Sequence, residues 1–109
     1  MSLSEQEKKA LDEFKVGVYT SIKDRCVFMQ LFGSKTRNDA VADSDIDVLV
    51  VVKEKNRVIE NAVMDQAFEI NMQYDLYISP RIISVSDYEN PLFRVTPFYK
   101  NISREAVAL

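Results

Sequence analysis

A chain of 109 residues with a net charge of −3 has the length of one domain, enough for a core but too short for a catalytic domain plus a separate substrate domain. Hydrophobic residues make up 47% and charged residues 28%, an ordinary globular balance, and a pI near 4.9 argues against a surface built to grip nucleic acid through many phosphate contacts. Histidine is absent, which excludes Ser-His-Asp and Cys-His catalysis and His-ligated zinc. Acid–base or metal chemistry must then run on carboxylates, Lys, Tyr or water, whose oxygens favour Mg²⁺ or Mn²⁺.

The opening segment from Ser4 to about Asp24 predicts an amphipathic helix, with Leu11, Phe14, Val18 and Ile22 on one face and Ser4 and Glu7 in a capping-box pattern. "CVFMQLF", Cys26 to Phe32, reads as a short buried strand ended by Gly33. Cys26, the one cysteine, sits in that apolar run as a buried, unreactive thiol. From Ser34 to Ser44 the residues turn small and polar, enough for one or two helical turns and a loop.

"DIDVLVVV", Asp45 to Val52, predicts a central strand. Ile46, Val48, Val50 and Val52 face one side, while Asp47 shares the other with Leu49 and Val51. Asn56 is placed to cap a helix running to about Met72, with Ile59, Ala62, Val63, Ala67 and Ile70 inward. "YDLYIS" follows as a third strand stopped by Pro80, with Asp75 at its mouth, and "IISVS" either extends or neighbours it. Thr96 then caps a last helix with Pro97 in its first position and Phe98, Ile102 and Val107 packed inward. No secretory leader is expected in the polar start "MSLSEQEKKALDEF", and no apolar run approaches the ~20 residues of a membrane span, so the expected location is the cytoplasm. The sum is a single α+β domain, residues 1–109, with a small sheet covered by helices.

The chemistry concentrates between Phe32 and Val52. Gly33 permits a sharp turn and a close approach of backbone to a ligand, and Ser34 offers a hydroxyl and an N–H at the start of a short helix, which together make a phosphate seat. Asp45 and Asp47, two apart on a strand, point to one face. At ~4 Å two such charges repel by about 4 kcal/mol at an effective dielectric of 20, unless a cation sits between them. Hard oxygen ligands of this kind suit a divalent cation that bridges phosphate oxygens.

These residues resemble the minimal nucleotidyltransferases of the DNA polymerase beta superfamily. The family signature of Gly-Ser, ten intervening residues and Asp-x-Asp is matched by Gly33-Ser34, residues 35–44 and Asp45-Ile46-Asp47, and the resemblance extends through "YDLYIS" to "PFYKNISREAVAL". Two departures stand out. Lys35-Thr36-Arg37-Asn38 replaces an Arg-x-Arg-Gly run, with Asn38 suited to a left-handed turn, and Glu105-Ala106 replaces a Glu-Gly at the exit of the last helix.

The resemblance implies the polymerase-beta-like nucleotidyltransferase fold, a small mixed β-sheet with helices packed on it. It also implies transfer of a nucleoside monophosphate, AMP from ATP, to an acceptor hydroxyl with release of pyrophosphate. Asp45, Asp47 and Asp75 would be the catalytic carboxylates and the ligands of two Mg²⁺ ions, Gly33 and Ser34 would hold the terminal phosphates, and Lys35 or Arg37 would neutralise the leaving pyrophosphate. One small domain gives little wall for an acceptor. A helical HEPN-type partner protein, to which this chain would stand as antitoxin, or a second copy in a homodimer, would supply it. The competing expectation is a non-catalytic module that neutralises a partner by occupying its surface. Neither direct nucleic-acid binding nor a membrane is implied.

Overall fold

The computed structural model describes residues 3–37 and 44–109, and the left-handed turn expected at Asn38 lies outside them. Helix α1, Glu5–Ile22, begins at the Ser4 cap as the sequence predicts: the Ser4 hydroxyl accepts from the Glu7 N–H and the Glu7 carboxylate accepts from the Ser4 N–H. Strand β1, Cys26–Phe32, follows a short 3₁₀ turn, and a second 3₁₀ turn, Gly33–Thr36, closes it. Next come β2, Ile46–Val52, and α2, Arg57–Tyr74, capped by Asn56, whose side chain accepts from the Ile59 N–H. Strand β3 spans Ile78–Ser84, the short helices α3, Val85–Glu89, and α4, Pro91–Arg94, come after it, and α5, Pro97–Glu105, leads into β4, Val107–Ala108.

The described strands form one mixed sheet in the order β3-β2-β1-β4, in which β1 runs antiparallel to β2 and β4 while β2 and β3 are parallel. Burial on both faces explains the unbroken apolar run of β2. Ile46, Val48, Val50 and Val52 pack with Phe14 and Val18 of α1 and with Ile59, Val63 and Ala67 of α2. Leu49 and Val51 pack on the other face with Ile102 and with Phe28, Phe32, Phe93 and Phe98. Asp47 alternates with these and belongs to the second face, beneath α5 rather than beneath α1 and α2.

Two expectations are corrected here. The third strand does not start at Tyr74, which α2 keeps, and Pro80 does not stop it: of the two alternatives for "IISVS" the extension holds, and β3 runs through Pro80 to Ser84. Proline is tolerated because β3 is the sheet's edge. The Tyr77 carbonyl accepts from Ile46 of β2, so by alternation the backbone of Ile78 and Pro80 faces outward, where a missing N–H breaks no ladder bond. The Asn71 side chain fills the outer position at Ile78, accepting from its N–H at 2.7 Å and donating to its carbonyl at 3.0 Å. Val107 is likewise not helical. Ala106 takes an extended conformation and Val107 pairs with Leu31, so the chain leaves α5 without a left-handed residue, and the departure from Glu-Gly at Glu105-Ala106 needs no glycine.

No helix among the described residues is long and apolar enough to cross a membrane. Cys26 is buried, and burial pushes its thiol up, which matches the inert role expected.

Candidate active site

The end of β1 and the start of β2 are neighbours because the two strands are antiparallel: Phe32 pairs with Asp47. Gly33 comes one residue later with φ at +80°, a left-handed conformation that favours glycine. A second constraint acts at the same residue. A Cβ built on Gly33 would fall on the Asp47 carboxylate, so only a glycine lets the turn lie against that side chain. The Ser34 hydroxyl, half-buried beside it, makes no hydrogen bond with a described residue.

Asp47 is half-buried and Asp45 exposed. Burial holds the Asp47 carboxyl above its ordinary range, and the negative charges of Asp45 and Glu105 push it further the same way. Such a carboxylate is stabilised by a cation. Among the described residues no group of three or more His, Cys, Asp or Glu side chains is gathered to hold a metal ion. What fits is a pair of hard oxygen donors that leaves most of the coordination sphere to water and substrate, as Mg²⁺ bound through one or two carboxylates and phosphates requires.

Asp75 is placed differently from the expectation. It is no strand residue but the C-cap of α2, in the left-handed region at φ 55° and ψ 52°, its N–H donating to the Asn71 carbonyl. A two-residue connection to Ile78 forces that sharp reversal, and Asp is one of the few non-glycine residues that accept it. Its carboxylate is exposed at the same end of the sheet as Asp45, but the β3 residue that lies beside Asp47 is Ser79.

Lys35 and Arg37 diverge. Lys35 is 1% exposed and its ammonium lies 2.8 Å from the Glu7 carboxylate, directed towards the start of α1. Arg37 is half-exposed and pairs at 2.7 Å with Glu105. Glu105 is the residue that sequence reasoning missed. It ends α5, its Oε1 accepts from the Gly33 N–H at 3.3 Å, and its charge is felt by Asp47. An acid in the last turn of a helix opposes the helix dipole, and that misfit was the available signal.

Farther along this face, a cavity of about 380 Å³ at the β3 edge is lined by Arg81, Phe93, Phe98 and Asn90, with the Arg81 guanidinium 4.4 Å above the Phe98 ring. Arg81 follows Ser79 on the same side of β3, so the cavity opens beside the acids rather than around them.

A family model described as "Polymerase beta, Nucleotidyltransferase" matches residues 15–94, a span that holds the Gly-Ser turn, Asp45 just before β2, Asp47 within it, and β3. The chain belongs to the polymerase beta nucleotidyltransferase family. A nucleotidyltransferase of this family is also recognisable in its relatives. The "Putative protein adenylyltransferase MJ0141" of Methanocaldococcus jannaschii is 38% identical over 73 residues, covering 66% of this chain and 74% of that protein. A second protein of that organism, "Putative protein adenylyltransferase MJ1305", is 35% identical over 89 residues, which are 75% of this chain but only 60% of the relative's length. The solved structure described as "Structure of putative minimal nucleotidyltransferase" covers both chains entirely with a TM-score of 0.56 at 21% identity, a likeness of fold.

Proposed function

We propose that this nucleotidyltransferase moves AMP from ATP to a hydroxyl on a partner protein, with Mg²⁺ held by Asp45 and Asp47. The observation that carries the proposal is the contact between Gly33 and Asp47. A phosphate-seating turn and a charge-stressed carboxylate are built against each other so closely that one methyl group would separate them. The adenylyl group and the protein acceptor are suggested by the names of the two archaeal relatives.

In this reaction the Gly33 and Ser34 turn seats the terminal phosphates, and Arg37 neutralises charge on the departing pyrophosphate. Bound Mg²⁺ would screen the triphosphate and polarise the reacting phosphoryl oxygens. The acceptor oxygen forms its bond to the α-phosphorus as the bond to pyrophosphate breaks, and the hydroxyl proton passes to water. Lys35 acts from below by tying the turn to α1 through Glu7. Asp75 is assigned the α2 cap, which leaves two carboxylates for the metal.

The acceptor lies on a helical HEPN-type partner, to which this chain stands as an antitoxin, or on a second copy of the chain. The test is incubation with each nucleoside triphosphate, Mg²⁺ and a co-encoded partner, with mass spectrometry of the partner's product. An added adenylyl group on a partner hydroxyl is expected, and unmodified partner under all four triphosphates rejects the proposal.

One observation favours the alternative of a binding module. Met64, Phe68 and Met72, spaced by four along α2, are 47%, 66% and 72% exposed, an apolar stripe that suits a protein surface. Partner neutralisation by a variant lacking both Asp45 and Asp47 would support that reading.

A further inference from the structure

The phosphate seat already contains an anion of the protein's own. Glu105 reaches from the last turn of α5 to the turn after β1, where one carboxylate oxygen accepts from the Gly33 N–H at 3.3 Å and the other from the Arg37 guanidinium at 2.7 Å. These are a backbone donor and a cation that a bound triphosphate would use. The Glu105 side chain is only 15% exposed.

Three electrostatic terms work against a carboxylate here. It sits at the negative end of α5, it has lost most of its solvent, and it lies close enough to Asp47 to raise that carboxyl. The two donors offset these terms. The Arg37 contact at 2.7 Å is a short charge-assisted bond of the strong kind, while the Gly33 contact at 3.3 Å is long, and a better anion would compete for both donors.

Resting on the nucleotide seat proposed above, we infer that Glu105 is an internal competitor for the phosphate seat: it engages Gly33 and Arg37, and a triphosphate entering the seat displaces it. Displacement needs only rotation of the Glu105 side chain. The α5 backbone stays anchored, because Ala106 leads directly into β4, whose Val107 and Ala108 pair with Leu31 and Gln30. Glu105 thereby sets nucleotide affinity, and it lowers affinity most for ligands that carry the charge of the terminal phosphates. A nucleoside monophosphate, which need not reach the seat, is affected less.

The experiment is calorimetric titration of the full chain and of Glu105→Gln and Glu105→Ala with MgATP, Mg-pyrophosphate and AMP, each variant first checked for parental circular dichroism. The expected result is tighter binding of MgATP and Mg-pyrophosphate, by about 5-fold to 20-fold, with Glu105→Ala at least equal to Glu105→Gln and AMP changed less than 2-fold. Adding Arg37→Gln to Glu105→Gln should remove most of the gain, because the gain runs through the guanidinium that Glu105 no longer engages, whereas a merely structural Glu105 would give no such coupling. Unchanged or weaker binding by folded variants, with the parent binding MgATP, overturns the inference and leaves the nucleotide seat standing. Failure of the parent and all variants to bind MgATP or Mg-pyrophosphate overturns both.

Discussion

Lys35 and Glu7 meet 2.8 Å apart in a place where both are almost out of water, joining the turn that carries Ser34 to the capping box of α1. Removing one member of a buried pair leaves the other uncompensated and costs about 3–5 kcal/mol. Lys35→Met should therefore lower the melting temperature strongly, and Glu7→Gln with Lys35→Met should recover part of the loss. Chemical denaturation of the parent, the single variants and the double variant measures the coupling. An additive double variant would show that the pair contributes no specific stability.

The same pair predicts an acid sensitivity. Burial alone would raise the Glu7 carboxyl, but the Lys35 ammonium and the Ser4 groups outweigh it, and the carboxyl ends below its ordinary 4.5. Below 4.5 the unfolded chain therefore binds more protons at this residue than the folded chain does. The stabilisation is fully present above 4.5 and is lost as pH falls through the folded value. Urea midpoints between pH 6 and pH 3 should fall more steeply for the parent than for Glu7→Gln.

Gly33→Ala should do two kinds of damage. Left-handed backbone costs a residue with a Cβ about 1–2 kcal/mol, and the added methyl must displace the Asp47 carboxylate. Stability should fall by roughly that amount, and MgATP binding should fall at least ~10-fold, since Asp47 moves with the turn. Parental affinity in a destabilised Gly33→Ala would separate the turn from the site.

Much of this site is legible in the sequence because it is local. Gly33-Ser34 and Asp45-x-Asp47 are neighbours through one antiparallel strand pair, and the alternation of β2 assigns each side chain to a face. Glu105 was out of reach because its partners lie 72 and 68 residues away in the chain. An acid in the last turn of a helix marks Glu105 as out of place, but nothing in its surroundings in sequence says that α5 brings it back to β1. Lys35 misleads for a related reason: a lysine next to Gly-Ser suggests phosphate, and only the packing of α1 against the sheet reveals Glu7 as its counter-ion.

Asp47→Asn should separate stability from ligand binding. Burial, then Asp45 and Glu105, raise the folded carboxyl, so its contribution is fully present below the unfolded value and is lost as pH rises through the folded one. At neutral pH the amide removes this liability, and the variant should melt no lower than the parent. Mg²⁺ with ATP should raise the parent's melting temperature and leave that of Asp47→Asn unchanged. An equal thermal shift in both proteins would remove Asp47 from the metal.

Asp75 supplies the sharpest division between a helix cap and a third catalytic carboxylate. Its backbone is left-handed at φ 55°, and the β3 residue beside Asp47 is Ser79. Asn tolerates that conformation at least as well as Asp, and Gly does so without a Cβ penalty. Asp75→Asn and Asp75→Gly should therefore keep or raise the melting temperature, with a gain of roughly 0.5–1 kcal/mol for the glycine. Transfer to the partner should stay within a few-fold of the parent in both if, as proposed, Asp45 and Asp47 alone hold the metal. If transfer instead collapses by ~10²-fold or more in both variants while MgATP affinity and stability hold, the carboxylate is acting on the incoming hydroxyl. Asp75 would then join the reacting groups from its position at the end of α2, and the two-carboxylate site would give way to three.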